Sequence, residues 1–190
     1  MSGRIKSAEH LEEGEVNRLL KYLLQHNLWD YYLIVRLGIS TALRFSDLST
    51  LTWRDLLGSS GNLVVREKKT GKQREIPIPQ DLLSTLKNIY AKVDAPPLES
   101  KAVRLGIRTV NKQLKLHAAR AGIRGKRISS HTFRKTFGRE VWRRNNYSEA
   151  ALVKLSQLFR HSSTSITRIY LSITQEEVKN LYAIQDLFVY

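Results

Sequence analysis

Cysteine is absent from this 190-residue chain and methionine occurs once. Without cysteine there is no disulfide and no thiolate metal site, which fits a reducing interior. Proline is nearly as scarce, with four residues at two places, Pro77 and Pro79, then Pro96 and Pro97. No apolar run is long enough to cross a bilayer, and no signal-peptide pattern opens the chain. Internal repeats and low-complexity tracts are missing too. Acidic residues are few: 17 Asp and Glu face 32 Lys and Arg, a formal net charge of +15. Such an excess favours polyanionic partners, because each neutralised phosphate releases condensed counterions. An anionic membrane is a poorer match, since the basic residues are scattered over the chain and not gathered on one amphipathic helix. The hydrophobic content of 42% supports a real core, in one large domain or two small ones.

The apolar periodicity is mostly helical. Leu11, Val16, Leu19, Leu20, Leu23 and Leu24 predict a helix from Ser7 to about Gln25, and Tyr32 to Ile39 a second, from about Leu28 to Ser40. A shorter helix is expected after Arg44, through Asp47 and Leu48 toward Trp53. The period then changes. Leu63-Val64-Val65 and Ile76-Pro77-Ile78 flank the polar stretch Lys68-Lys69-Thr70-Gly71-Lys72, which reads as a β-hairpin with a basic tip, its second strand ending at the prolines. Helices are expected again over Asp81–Ala91, Arg108–Ala121, His131–Arg144, Ser148–Phe159, Ser163–Leu171 and Thr174–Ala183. Ala95-Pro96-Pro97 marks the clearest loop, continued by Lys101 to Gly106. The expected fold is mainly α with a small antiparallel β-hairpin inserted early, an α+β arrangement in one domain over 1–190.

Four fragments carry chemistry. Arg44 lies in Leu43-Arg44-Phe45-Ser46-Asp47-Leu48 among apolar residues, where arginine needs an anionic partner; Asp47, three residues on, can hold it. An intrahelical surface pair is the plainer interpretation. Lys68, Lys69 and Lys72 on a turn are ordinarily solvated charge, or else an arm that sets an ammonium against a phosphate. In His131-Thr132-Phe133-Arg134-Lys135-Thr136-Phe137, the spacing puts His131 and Arg134 on one face of a helix start, suited to an oxyanion. Alone, that spacing is common. The run from Arg160 through His161 to Tyr170 places a histidine in a turn and a tyrosine two turns into a Ser/Thr-capped helix. Tyrosine can be a covalent nucleophile, though most helical tyrosines only pack. A helix-turn-helix over Ser148 to Leu171 is a further interpretation.

Taken in this order and spacing, the fragments resemble the catalytic domain of the tyrosine recombinase (phage integrase) family, from about Ala8 to Ala183. The resemblance implies that fold and site-specific DNA recombination, integrating, excising or inverting DNA through a 3′-phosphotyrosyl intermediate, without metal, cofactor or ATP. It implies that Arg44 and Arg134 are the two catalytic arginines, Lys69 the catalytic lysine, His131 and His161 the histidine-type positions and Tyr170 the nucleophile. Asp47 would support Arg44. Lys68, Lys72, Lys135, Arg160 and Arg168 would add DNA contacts. The implied partners are double-stranded DNA, further copies forming a tetramer on it, and accessory DNA-bending or directionality proteins, in a cytoplasmic, nucleoid-associated setting of bacterial or phage origin. Arg160 stands where the family often has glycine, and Lys135 where it often has histidine. A type IB topoisomerase and a non-cleaving DNA-binding regulator are the alternatives. No N-terminal core-binding domain precedes the motifs, so a fragment or a naturally short recombinase is expected. The amphipathic tail with Val178, Leu181, Tyr182, Ile184, Leu187 and Phe188 is expected to join a neighbouring copy.

Overall fold

The computed structural model describes residues 7–58, 61–69 and 71–174. The Thr174–Ala183 helix and the amphipathic tail expected to drive assembly therefore lie outside the described residues, apart from Thr174. The elements are α1 (Glu13–Gln25), α2 (Trp29–Thr41), α3 (Phe45–Leu48), α4 (Trp53–Leu57), β1 (Asn62–Arg66), β2 (Gln73–Pro77), α5 (Gln80–Lys92), α6 (Ile107–Arg120), α7 (Ser130–Arg144), α8 (Glu149–Phe159) and α9 (Thr164–Leu171). This is the mainly helical fold with one small antiparallel sheet. The chain divides into two compact units, the first ending at Phe137 and the second starting at Gly138.

Two boundaries differ from expectation for local reasons. The first helix begins at Glu13, not Ser7, because a capping box between Glu12 and Glu15 starts it there. The residues before it make tertiary bonds instead: the Glu9 N–H donates to the Arg127 carbonyl at 3.0 Å and the Leu11 N–H to Thr136 Oγ1 at 2.9 Å. The segment after Arg44 splits into α3 and α4, since Thr52 opens a new helix with its own capping box to Asp55. The Pro96-Pro97 loop returns onto that point, with Trp53 N–H on the Ser100 carbonyl and Ala102 N–H on the Leu51 carbonyl.

In the first unit, α1, α2, α4, α5 and α6 bury apolar residues against one another. Leu19, Leu23, Val35, Leu37, Leu56, Leu86 and Leu114 are fully enclosed. The hairpin packs one face onto this core. Leu63 pairs with Ile76 and Val65 with Arg74 in an antiparallel register, and Leu63, Val65 and Ile76 are buried while Val64 and Arg66 face out. Gly38 permits a close helix approach: a Cβ there would lie 2.7 Å from the Phe133 Cβ. This brings the start of α7 against the end of α2.

The second unit consists of the later half of α7 with α8 and α9. Its interior is Trp142, Ala151, Leu152, Leu155, Phe159 and Leu171. Gly138 again marks a tight approach, for a Cβ would lie 2.7 Å from Leu171 and 2.8 Å from Phe159. Ser148 and Ser163 cap α8 and α9 through their hydroxyls.

Candidate active site

Helix α2 ends at Ala42, whose φ of +55° turns the chain sharply and directs it into Leu43 and Arg44. The Ala42 carbonyl accepts a hydrogen bond from Arg134 Nη1, although the two residues are 92 positions apart. Arg134 is 3% exposed, so its guanidinium is held by the fold rather than by solvent. Arg44 occupies the position just before α3, and its Nη1 lies 3.7 Å from the carboxylate of Glu67. Buried guanidinium and carboxylate groups are tolerable only when they meet such partners.

Two further residues complete this side. The Ser129 hydroxyl accepts the His131 N–H at 3.2 Å and Asn111 Oδ1 accepts that of Ser130 at 2.8 Å, which satisfies the exposed donors at the start of α7. His131 stands at the surface, yet enough protein crowds its ring to lower its pKa by desolvation, with the charges of Arg134, Arg44 and Lys135 adding to the effect. Lys69 is exposed on the turn of the hairpin. That turn is tied to α3, because Asp47 Oδ1 accepts the Lys68 N–H at 3.0 Å. Arg44, Arg134 and His131 are thus brought together, with the Lys69 hairpin fastened alongside.

In the second unit, His161, Tyr170 and Phe159 form an edge-packed aromatic cluster. The His161 and Tyr170 ring centroids are 5.1 Å apart at 70°, and Phe159 lies 5.5 and 5.4 Å from them. His161 Nδ1 and Thr167 Oγ1 are hydrogen-bonded at 2.9 Å, which fixes the orientation of the imidazole. Arg160, just before it, ends α8 at a φ of +57°. This left-handed conformation accounts for the glycine expected at that position. Arg168 is ion-paired with Glu149.

Two placements depart from what the sequence suggested. The carboxylate against Arg44 is that of Glu67, while Asp47 takes the hairpin backbone; its Oδ2 is buried without a hydrogen-bond partner. Lys135, expected to add charge at the phosphate, is 2% exposed with its ammonium on Ser7 Oγ at 3.0 Å. Thr132 to Thr136 are all buried, so this stretch of α7 has no solvent face on which Lys135 could sit. Burial pushes the Lys135 ammonium below its ordinary pKa, partly countered by Glu9.

Glu67 and Arg74 escape motif reasoning, which sees only the lysines of the tip. The signal was the strand alternation: Leu63, Val65 and Glu67 share one side, and Arg74 is opposite Val65. Among the described residues, no cluster of three or more histidine, aspartate or glutamate side chains could hold a metal ion, and no helix is long and apolar enough to cross a membrane.

The chain also has relatives among known proteins. The model of the phage integrase family matches residues 9–177. Tyrosine recombinase XerA of Pyrococcus furiosus is 34% identical over 176 residues, which cover 89% of this chain and 59% of XerA. The probable integrase/recombinase YoeC of Bacillus subtilis is 30% identical over 182 residues, 95% of this chain and 94% of YoeC. The chain thus spans about three fifths of the Pyrococcus protein but nearly all of the Bacillus one. The crystal structure of XerA recombinase shares the fold at a TM-score of 0.69 and 20% identity, covering 100% of this chain and 68% of that one. The catalytic domain of bacteriophage HP1 integrase does so at 0.58 and 21%, covering 95% and 97%. This chain belongs to the phage integrase family.

Proposed function

We propose that this chain performs site-specific DNA recombination, cutting and rejoining double-stranded DNA through a covalent bond to Tyr170. The observation that carries this is the gathering of Arg44 with His131 and Arg134 from two distant parts of the sequence, with the Lys69 hairpin tied beside them. Two fixed guanidiniums suit the charge that builds on the non-bridging oxygens of a phosphodiester under attack.

The proposed step balances as follows. The Tyr170 oxygen attacks phosphorus, a tyrosyl–phosphate bond forms at the 3′ side, and the bond to the 5′ oxygen breaks. His131, whose neutral form is favoured by desolvation and by the neighbouring cations, takes the tyrosine proton. Lys69 gives a proton to the leaving 5′ oxygen. His161 hydrogen-bonds the phosphate, and Asp47 holds the Lys69 hairpin from α3. An incoming 5′ hydroxyl reverses every transfer, so the strand is resealed without ATP.

Lys68, Lys72, Arg160 and Arg168 would contact the flanking backbone. Among structures with this fold is a lambda integrase tetramer bound to a Holliday junction. Assembly of copies of this chain on DNA, with accessory proteins setting direction, belongs to the same proposal. So do a cytoplasmic setting at a bacterial nucleoid and a role as the catalytic domain of a recombinase that is either longer or naturally short.

The test is covalent capture. The full chain is incubated with a pool of nicked duplexes of random sequence, and protein–DNA adducts are recovered under denaturing conditions. Adducts are expected from the wild type and none from Tyr170→Phe. No adduct from the wild type would overturn the proposal in favour of a non-cleaving regulator. Relaxation of supercoiled plasmid regardless of sequence would replace it with a topoisomerase.

A further inference from the structure

Glu67 lies one residue beyond β1, at the base of the hairpin that carries Lys69, and is 1% exposed. Its backbone closes the turn: the N–H donates to the Lys72 carbonyl at 3.0 Å, and its carbonyl accepts the Gly71 N–H at 2.8 Å. Its carboxylate faces two guanidiniums, with Arg44 Nη1 at 3.7 Å and Arg74 Nη1 at 3.9 Å. Arg74 is itself anchored, donating from Nη2 to the Thr41 carbonyl at 3.0 Å. In the opposite direction, Asp47 reaches from α3 to the Lys68 N–H. Two carboxylates therefore cross between the same two segments. Burying such a charge is costly unless it is paired, and an apolar residue would extend the inward run of Leu63 and Val65 at less cost.

We infer that Glu67 is a positioning residue: it holds Arg44 in the pose that meets the scissile phosphate and couples that pose to the hairpin bearing Lys69. This rests on the recombinase function proposed above. The Glu67 carboxylate is shared between two guanidiniums, those of Arg44 and Arg74. The pull of Arg74 keeps Glu67 from collapsing onto Arg44. The group that stabilises the non-bridging oxygens and the group that protonates the leaving oxygen are then placed by one residue, and small misplacements at such a centre are expensive.

The experiment compares wild type, Glu67→Gln and Glu67→Asp as full chains, using a duplex recovered by covalent capture. It is made once with a normal scissile phosphate and once with a methylphosphonate, which lacks one negative oxygen. Single-turnover adduct formation by Glu67→Gln is expected to slow by about tenfold to a hundredfold on phosphate. Its duplex affinity should stay within about twofold of wild type. Glu67→Asp, which keeps the charge with a shorter reach, is expected to fall between them and serves if the glutamine variant does not fold. On methylphosphonate the gap should narrow, because Arg44 has less charge to stabilise. A folded Glu67→Gln that reacts at the wild-type rate overturns the inference, as does an equal defect on both substrates. Nitrogen-15 NMR of the Arg44 guanidinium gives a readout independent of cleavage, with restricted rotation in the wild type and freer rotation in Glu67→Gln. Unchanged rotation overturns the inference. Loosened rotation in Glu67→Gln together with no adduct from the wild type sinks the recombinase function and leaves the positioning of Arg44 intact.

Discussion

Arg160 holds a left-handed φ of +57° at the end of α8, directly before His161. The conformation lets the His161 N–H return to the Ser156 carbonyl at 2.9 Å, and so aims the imidazole at Thr167 and Tyr170. A side chain in that region costs roughly 1 kcal/mol, which glycine does not incur. Arg160→Gly is therefore expected to raise the thermal unfolding midpoint by a few degrees while weakening duplex binding, since one cation is lost from the chain. Calorimetry and a salt-titrated binding assay check the two halves; a lower midpoint would show that the Arg160 side chain stabilises more than its backbone costs. The same residue shows what the sequence can disclose. The departure from the family's glycine was legible, but its consequence needed the dihedral angle.

At the scale of elements, α7 is the part on which the candidate site depends most. Its first turn presents His131 outward and Arg134 inward, and it can do so only because α2 comes close enough for Phe133 to cover Gly38. A methyl group at position 38 would meet the Phe133 Cβ at 2.7 Å and push the two helices apart. Gly38→Ala is expected to destabilise the protein by about 1–3 kcal/mol in denaturant unfolding, and to slow adduct formation because Arg134 moves with Phe133. Gly14→Ala is the control. Its methyl group would meet only the end of Arg18 at 3.8 Å, and alanine in a helix should stabilise by about 0.5–1 kcal/mol. Equal behaviour of the two variants would refute the close-approach explanation. The helical periods of α1, α5, α6, α8 and α9 were readable because each buries one face, whereas α7 is enclosed over Thr132 to Thr136. The α3–α4 break was not readable, since it depends on a capping box between Thr52 and Asp55 inside an otherwise periodic segment.

For the molecule as a whole, stability should respond to pH through buried imidazole. His117, on α6, is 5% exposed, packs edge-on against Tyr31 at 4.7 Å and has no hydrogen-bond partner for either ring nitrogen. Burial lowers its pKa, with Arg120 and His26 adding to the shift. Its folded pKa is below the ordinary 6.5, so the unfolded chain takes up the proton first. The stability that neutral His117 provides is full above about pH 6.5 and is lost as pH falls through the lower folded value. His131 adds to this window in the same sense. Glu140 does not: Arg143 and then Arg144 hold its carboxyl at about 2, so its contribution is present above the ordinary 4.5 and goes only in stronger acid. Unfolding free energy measured from about pH 7 to 5 should fall in the wild type and fall less steeply in His117→Leu. Identical slopes would contradict the role given to His117.

By itself, the sequence determined the element order, the basic hairpin between helical segments and the identity of the family. Those rest on local periodicity, turn chemistry and the spacing of Arg44, Lys69, His131, Arg134, His161 and Tyr170, all of which are properties of neighbours along the chain. Only the tertiary structure decided which charges meet. Glu67 reached Arg44 because β-strand alternation turned it inward, and Lys135 was withdrawn from solvent because α7 is buried from Thr132 to Thr136. A buried charge is placed by the partner that makes its burial affordable, and partners that are 23 or 128 residues apart in the sequence become neighbours only in the folded chain.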